Sequence, residues 1–86
     1  MSGTALQPRE LAEVITTVAG IPVTGDALTD NPAESFADLG LDSLALLGVV
    51  AELSRRYGVP SRPEALECRT PHDLLAFFND EIKSGV

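Results

Sequence analysis

Phe36-Ala37-Asp38-Leu39-Gly40-Leu41-Asp42-Ser43-Leu44 is the stretch that decides how this chain folds. Ser35 followed three residues later by Asp38 has the spacing of a capping box, with Asp in place of the usual Glu, and starts a single helical turn through Phe36 and Leu39 that Gly40 ends. Asp42 then offers a second N-cap, for a helix running to about Tyr57. Leu46, Val50, Leu53 and Tyr57 recur on one face of that helix, and Gly58 and Pro60 stop it. Ser43 falls at or next to the first helical position, where its hydroxyl faces water. A helix start carries about half a positive charge and four unpaired N–H groups, so an anion attached to Ser43 sits favourably there.

Working outward, Pro8 suits the first position of an earlier helix with Leu11, Val14, Ile15 and Val18 on one face, ended by Gly20 and Pro22. The turn formers between Ile21 and Leu41 predict a long loop interrupted only by the turn at Phe36. A short element around Glu64 to Glu67 follows Pro63, too brief to be stable without tertiary packing. Thr70 caps a last helix with Pro71 at its first position, Asp73 three residues after the cap, and Leu74, Leu75, Phe78 and Ile82 facing inward. The pattern predicts an all-α fold, a small four-helix bundle of three main helices and one short one. At 86 residues the chain supports one core, hence a single domain over 1–86 with flexible ends at 1–6 and 84–86. Apolar residues make up 44% and aromatics 5% with no Trp, which predicts an aliphatic core and excludes disorder.

The net charge is −7, and between Glu10 and Ser54 there are eight acids and no Lys or Arg. Phosphate backbones require clustered cations, so nucleic acid is excluded as a partner and basic protein surfaces are expected. Cys68 is the only cysteine, so it forms no internal disulfide and is read as a small half-buried residue in a reducing compartment. No apolar run approaches the roughly 20 residues of a membrane span, and the start of the chain lacks the pattern of a signal peptide, so a cytoplasmic protein is expected. Asp26, Asp30 and Glu34 fail the calcium-loop pattern, since Leu28 stands where a ligand belongs and the required Gly is absent. His72 has no partner at metal-ligand spacing, and no metal is expected. No nucleophile elbow surrounds Ser43, so hydrolase chemistry finds no support.

Leu39-Gly40-Leu41-Asp42-Ser43-Leu44, after an acidic loop and before an amphipathic helix, resembles the acyl carrier protein family over essentially the whole chain. The resemblance implies that Ser43 is esterified with 4′-phosphopantetheine from coenzyme A, with Asp42 the acid before it and Leu44 the apolar contact after it. Acyl groups then ride the arm as thioesters, so the chain is a carrier and not an enzyme. Asp42 to Leu47 and Thr70 to Leu75 look like the stand-alone carriers of bacterial aromatic polyketide synthases, and hence of antibiotic biosynthesis. Fatty-acid carriers more often have an acid where this chain has Ala45, and peptidyl carriers differ at Leu41 and Asp42. The implied partners are a phosphopantetheinyl transferase, a ketosynthase with its chain-length factor, an acyltransferase, a ketoreductase and a cyclase, met by a monomer. The alternatives are a fatty-acid carrier and, from another class, an acidic helical adaptor with no prosthetic group.

Two surfaces are expected around Ser43. Partners dock on Asp38, Leu44, Leu47, Gly48, Ala51 and Glu52, with acids steering and leucines supplying apolar area. Gly48 stands where the family commonly has Glu, so it either makes this face more apolar or permits close helix packing. A cargo cleft between the motif helix and the last two helices is expected to have apolar walls from Leu46, Val50, Leu74 and Phe78. Its polar contacts are Asn79 and one of His72 or Arg69, the first two implied by the resemblance.

Overall fold

The computed structural model describes residues 5–60 and 62–84. In chain order it contains α1 (Pro8–Ala19), α2 (Gly25–Asp30), α3 (Phe36–Leu39), α4 (Ser43–Tyr57), a 3₁₀ turn (Pro63–Glu67) and α5 (Pro71–Ser84). There is no strand among the described residues, and the three long helices are those the apolar periodicity predicts.

The core lies where these three helices meet. Leu11, Val14 and Ile15 of α1, Val49, Val50 and Leu53 of α4, and Leu74 and Phe78 of α5 are all at most 1% exposed. Full burial of such a side chain stabilises by about 1.5–3 kcal/mol, and no charged or polar residue is buried among them. The aliphatic core therefore fixes how α1, α4 and α5 lie, and the smaller elements are fitted around it.

Three expectations are corrected. The stretch from Ile21 to Leu41 is not a loop with one turn, because it also forms α2. The Thr24 hydroxyl accepts the Ala27 N–H at 3.1 Å as an N-cap, and Leu28 is buried. Gly25 makes the docking of α2 possible, since a Cβ there would stand 2.7 Å from the Arg9 Cα, inside the contact distance of two carbons. The flexible start expected over 1–6 does not reach Leu6, which is buried at 2% exposure; residues 1–4, and 85 and 86 at the other end, lie outside the described residues. Finally, Val18 does not share the core face of α1, since it is 40% exposed and lies over Gly48 of α4.

Candidate functional site

Two consecutive caps build the junction at Ser43. The Ser35 hydroxyl accepts the Asp38 N–H at 3.0 Å and the Asp38 carboxylate accepts the Ser35 N–H at 3.1 Å, a complete capping box that starts α3. Gly40 ends that turn at φ 95°, in the left-handed region that favours glycine. Leu41 is buried, and its N–H donates to the Phe36 carbonyl at 2.9 Å. Asp42 then accepts the Ala45 N–H at 2.8 Å, so its carboxylate caps α4.

Ser43 is therefore the first residue of a 15-residue helix and is exposed. The cap engages the N–H of the third helical position, and the positive end of the helix faces the water that the serine hydroxyl enters. Leu44, 76% exposed, projects beside it. One bond far along the chain fixes the other wall of the junction: the Phe36 N–H donates to the Arg69 carbonyl at 2.8 Å, tying α3 to the segment before α5.

A cleft of about 430 Å³ opens at this junction, between α3, the start of α4 and the 3₁₀ turn. Ser43 and Asp42 stand at its edge, Phe36, Leu41, Leu46 and Leu66 give it apolar lining, and Cys68 and Arg69 complete the far side. Burial pushes the Cys68 thiol above its ordinary pKa, with Asp73 and Glu67 adding to the effect. It stays protonated at neutral pH and is a poor nucleophile.

The cargo set expected from the sequence divides. Leu46 and Arg69 line this cleft. Val50, Leu74 and Phe78 do not form its wall, because they are buried in the core at 1% exposure or less. His72 and Asn79 lie along a different groove of about 540 Å³, bounded by residues 5–8, α2 and α5, and no residue lines both. The Asn79 amide is engaged there with the backbone of Leu6.

The docking set is also redistributed. Asp38, Asp42, Leu44, Leu47 and Ala51 are exposed, whereas Gly48 is half-buried against α1. Glu52 is engaged within the chain: it accepts from Arg55 at 2.7 Å and from Arg56 at 2.8 Å. Those two hydrogen bonds hold its carboxyl below the ordinary carboxylate range. Phe36, Leu41, Leu66 and Cys68 of the cleft, and Val18 over Gly48, are residues that the sequence did not assign to a site. Leu66 and Cys68 sit in or beside a five-residue 3₁₀ turn, too short for periodicity to show which face meets α4.

No helix among the described residues is long and apolar enough to cross a membrane, and no group of three His, Cys, Asp or Glu among them could hold a metal ion. Residues 9–78 match the family model described as a phosphopantetheine attachment site. A probable acyl carrier protein of Streptomyces coelicolor is 43% identical over 77 residues, covering 90% of this chain and 86% of the relative. The anthracycline acyl carrier protein DauA of Streptomyces sp. strain C5 is 42% identical, over 90% of this chain and 92% of its own length. Among solved structures, the 3,5-dioxohexyl carrier of the actinorhodin polyketide synthase from Streptomyces coelicolor superposes with a TM-score of 0.79 at 32% identity, over 96% of this chain and 98% of that one. The oxytetracycline acyl carrier protein superposes with a TM-score of 0.78, over 96% and 88%.

Proposed function

The chain belongs to the acyl carrier proteins that bear a phosphopantetheine attachment site, and on that premise we propose that Ser43 holds the arm and that the cargo is a growing aromatic polyketide. The observation that carries the reading is the placement of Ser43: exposed, first in α4, directly behind the Asp42 cap, and at the edge of an apolar cleft.

The residues present fit the group. A phosphodiester at Ser43 lies at the positive end of α4, where the helix dipole and the unpaired N–H groups favour an anion. Asp42 donates nothing to it, but by capping the Ala45 N–H it holds the start of α4 in one geometry and so fixes the direction of the serine. When bound, 4′-phosphopantetheine supplies the terminal thiol on which acyl groups are carried as thioesters. The protein supplies position and shelter.

Shelter is assigned to the cleft at the α3–α4 junction. Phe36, Leu41, Leu46 and Leu66 exclude water from an acyl chain folded back from Ser43. Arg69, on the rim of the same cleft, is the donor for a ketone carbonyl or for the phosphodiester. His72 and Asn79 face the other groove and take no part. Bond making is assigned to partner enzymes and a non-catalytic carrier role to this chain, as the acyl carrier relatives support.

The polyketide assignment is supported by the relatives, among them anthracycline and actinorhodin carriers at 40–42% identity, and by Ala45 in place of the acid of fatty-acid carriers. An adaptor without a prosthetic group needs no hydroxyl at residue 43, and the family match favours the carrier. We place it in the cytoplasm as a monomer among the synthase enzymes. The test is an intact mass before and after incubation with coenzyme A and a phosphopantetheinyl transferase, with the modified peptide fragmented. Addition at Ser43, lost in Ser43→Ala, is expected; addition at Ser35 or Ser54, or none, overturns the reading.

A further inference from the structure

Packing holds Ser43 from one side of the junction only. On α4 the buried apolar positions begin at Leu46; Asp42, Ser43 and Leu44 before it are exposed, and Ala45 is half-buried. On the other side Leu41 and Phe36 are 6% and 4% exposed. The chain that delivers Ser43 is therefore anchored in the core through α3 and the residue that follows it, and not through the first turn of the helix that Ser43 begins.

That anchor is itself conditional. A helix of four residues is too short to be stable alone, and α3 is closed by its capping box, in which the Ser35 hydroxyl accepts the Asp38 N–H at 3.0 Å. Two further bonds hang from the closed turn. The Leu41 N–H donates to the Phe36 carbonyl at 2.9 Å, and the Phe36 N–H donates to the Arg69 carbonyl at 2.8 Å. The first fixes the chain two residues before Ser43, and the second fixes α3 to the far lip of the cleft. Ser35 is half-buried and lines that cleft together with Ser43 and Arg69. Thr24 caps α2 by the same kind of bond, accepting the Ala27 N–H at 3.1 Å, but it lines a groove that shares no residue with the cleft.

We propose that Ser35 is a positioning residue for attachment of the arm: its hydroxyl keeps α3 closed, and closed α3 holds Ser43 in a fixed place relative to the Arg69 lip. The inference deepens the carrier reading above and rests on it. In the attachment the Ser43 oxygen forms the phosphodiester while the pyrophosphate bond of coenzyme A breaks. The adenosine bisphosphate leaves, and the serine proton passes to a base of the transferase. Ser35 makes none of these bonds. Displacement at phosphorus needs the attacking oxygen within a narrow range of distance and angle, and a misplacement of about 1 Å costs about 100-fold in rate. A serine delivered by a loosened turn occupies the reactive placement for less of the time after the two proteins have met, so the loss falls on kcat. KM is set by the exposed surfaces that the transferase touches and is left unchanged.

The test measures arm addition by a phosphopantetheinyl transferase at saturating coenzyme A, with the chain as the varied substrate and intact mass as the readout. Ser35→Ala is expected to lower kcat about tenfold with KM within about twofold of the parent. Ser35→Thr, which keeps the hydroxyl, restores kcat, and Thr24→Ala, which removes the matching cap of α2, leaves it at the parental value. Hydrogen exchange at the Phe36 amide is expected to be about tenfold faster in Ser35→Ala, with the Leu53 amide of the core unchanged. Ser35→Gly, which lacks the hydroxyl but costs a cap less than Ala does, replaces Ser35→Ala if that variant melts at the assay temperature. Parental kcat or parental Phe36 exchange in the Ser35 variant, a rise in KM in place of the loss in kcat, or an equal loss in Thr24→Ala overturns the positioning role and leaves the carrier reading standing. Failure of the transferase to add the arm to the parent chain overturns both.

Discussion

Asn79 holds Leu6 through both ends of its amide: Oδ1 accepts the Leu6 N–H at 2.7 Å and Nδ2 donates to the Leu6 carbonyl at 3.3 Å. A side chain used in this way completes the backbone hydrogen bonding of a buried residue just before α1. It is not a free donor for a ketone. Contact with cargo would require the segment before α1 to be released first, leaving two half-buried backbone groups without partners.

Asn79→Ala is accordingly expected to lower stability by about 1–3 kcal/mol through the unsatisfied Leu6 groups. It should also speed hydrogen exchange at the Leu6 amide while leaving the mass gain at Ser43 unchanged. Amide shifts caused by loading acyl chains are expected at Leu41, Leu46 and Leu66, not at Asn79. Shifts centred on Asn79 and His72 would move the cargo to the other groove.

Gly48 and Val18 form a pair that a double-mutant cycle resolves. Ala is favoured over Gly inside a helix by about 0.8–1.0 kcal/mol, but in this chain the added Cβ meets Val18 Cγ1 at 2.9 Å. Gly48→Ala is expected to be neutral or destabilising in the parent and stabilising by about 0.5–1 kcal/mol in Val18→Ala. Equal effects in both backgrounds, read from urea unfolding, would show that the two side chains do not compete for the same space.

What the sequence disclosed was local. Ser35 with Asp38, and Asp42 with Ala45, are caps closed within three residues, and both form as the spacing predicts. The starts of α1 and α5 at Pro8 and Pro71 follow from proline at the first helical position. The junction that presents Ser43 is assembled from such signals, so its geometry was legible. The helix α2 was not, because six residues are too few to be stable alone. Its place depends on Gly25 lying against the backbone at Arg9 and on Leu28 entering the core. The bonds from Asn79 to Leu6 and from Phe36 to Arg69, and the contact of Val18 with Gly48, join residues far apart in the chain. Periodicity carries no information about such pairs. Core and cleft residues were confused for the same reason: Leu46 and Val50 share one face of α4, but only Leu46 reaches the end of the helix where the cleft opens.

Tyr57 links α4 to α1 by donating its hydroxyl to the Glu10 carboxylate. Burial pushes the phenol well above its ordinary pKa, and the bond to Glu10 and its negative charge add to the shift. The native state therefore keeps a proton that the unfolded chain releases from about pH 10 upward, so this contribution is complete below pH 10 and declines as pH rises toward the native value. Melting temperature is expected to fall above pH 10 in the parent and less steeply in Tyr57→Phe. Identical alkaline slopes in the two proteins would remove Tyr57 as the cause.

Asp42 and Ser43 are expected to separate cleanly. Asp42→Ala loses the cap of α4 and should cost about 1 kcal/mol, with slower but detectable modification at Ser43. Ser43→Ala replaces an exposed residue and should change stability by no more than about 0.5 kcal/mol, with modification abolished. Melting curves and intact masses of the two variants check both halves.

Cargo is decided most directly by making this chain the only carrier in a minimal aromatic polyketide synthase reconstituted from a ketosynthase, its chain-length factor and a malonyl transferase. After modification with coenzyme A, the species bound at Ser43 are followed by mass spectrometry. Unreduced poly-β-ketone chains on the Ser43 peptide, and aromatic product released with turnover, are the predicted result. Malonyl loading without elongation in this synthase, together with efficient elongation to saturated chains by fatty-acid enzymes, would contradict it.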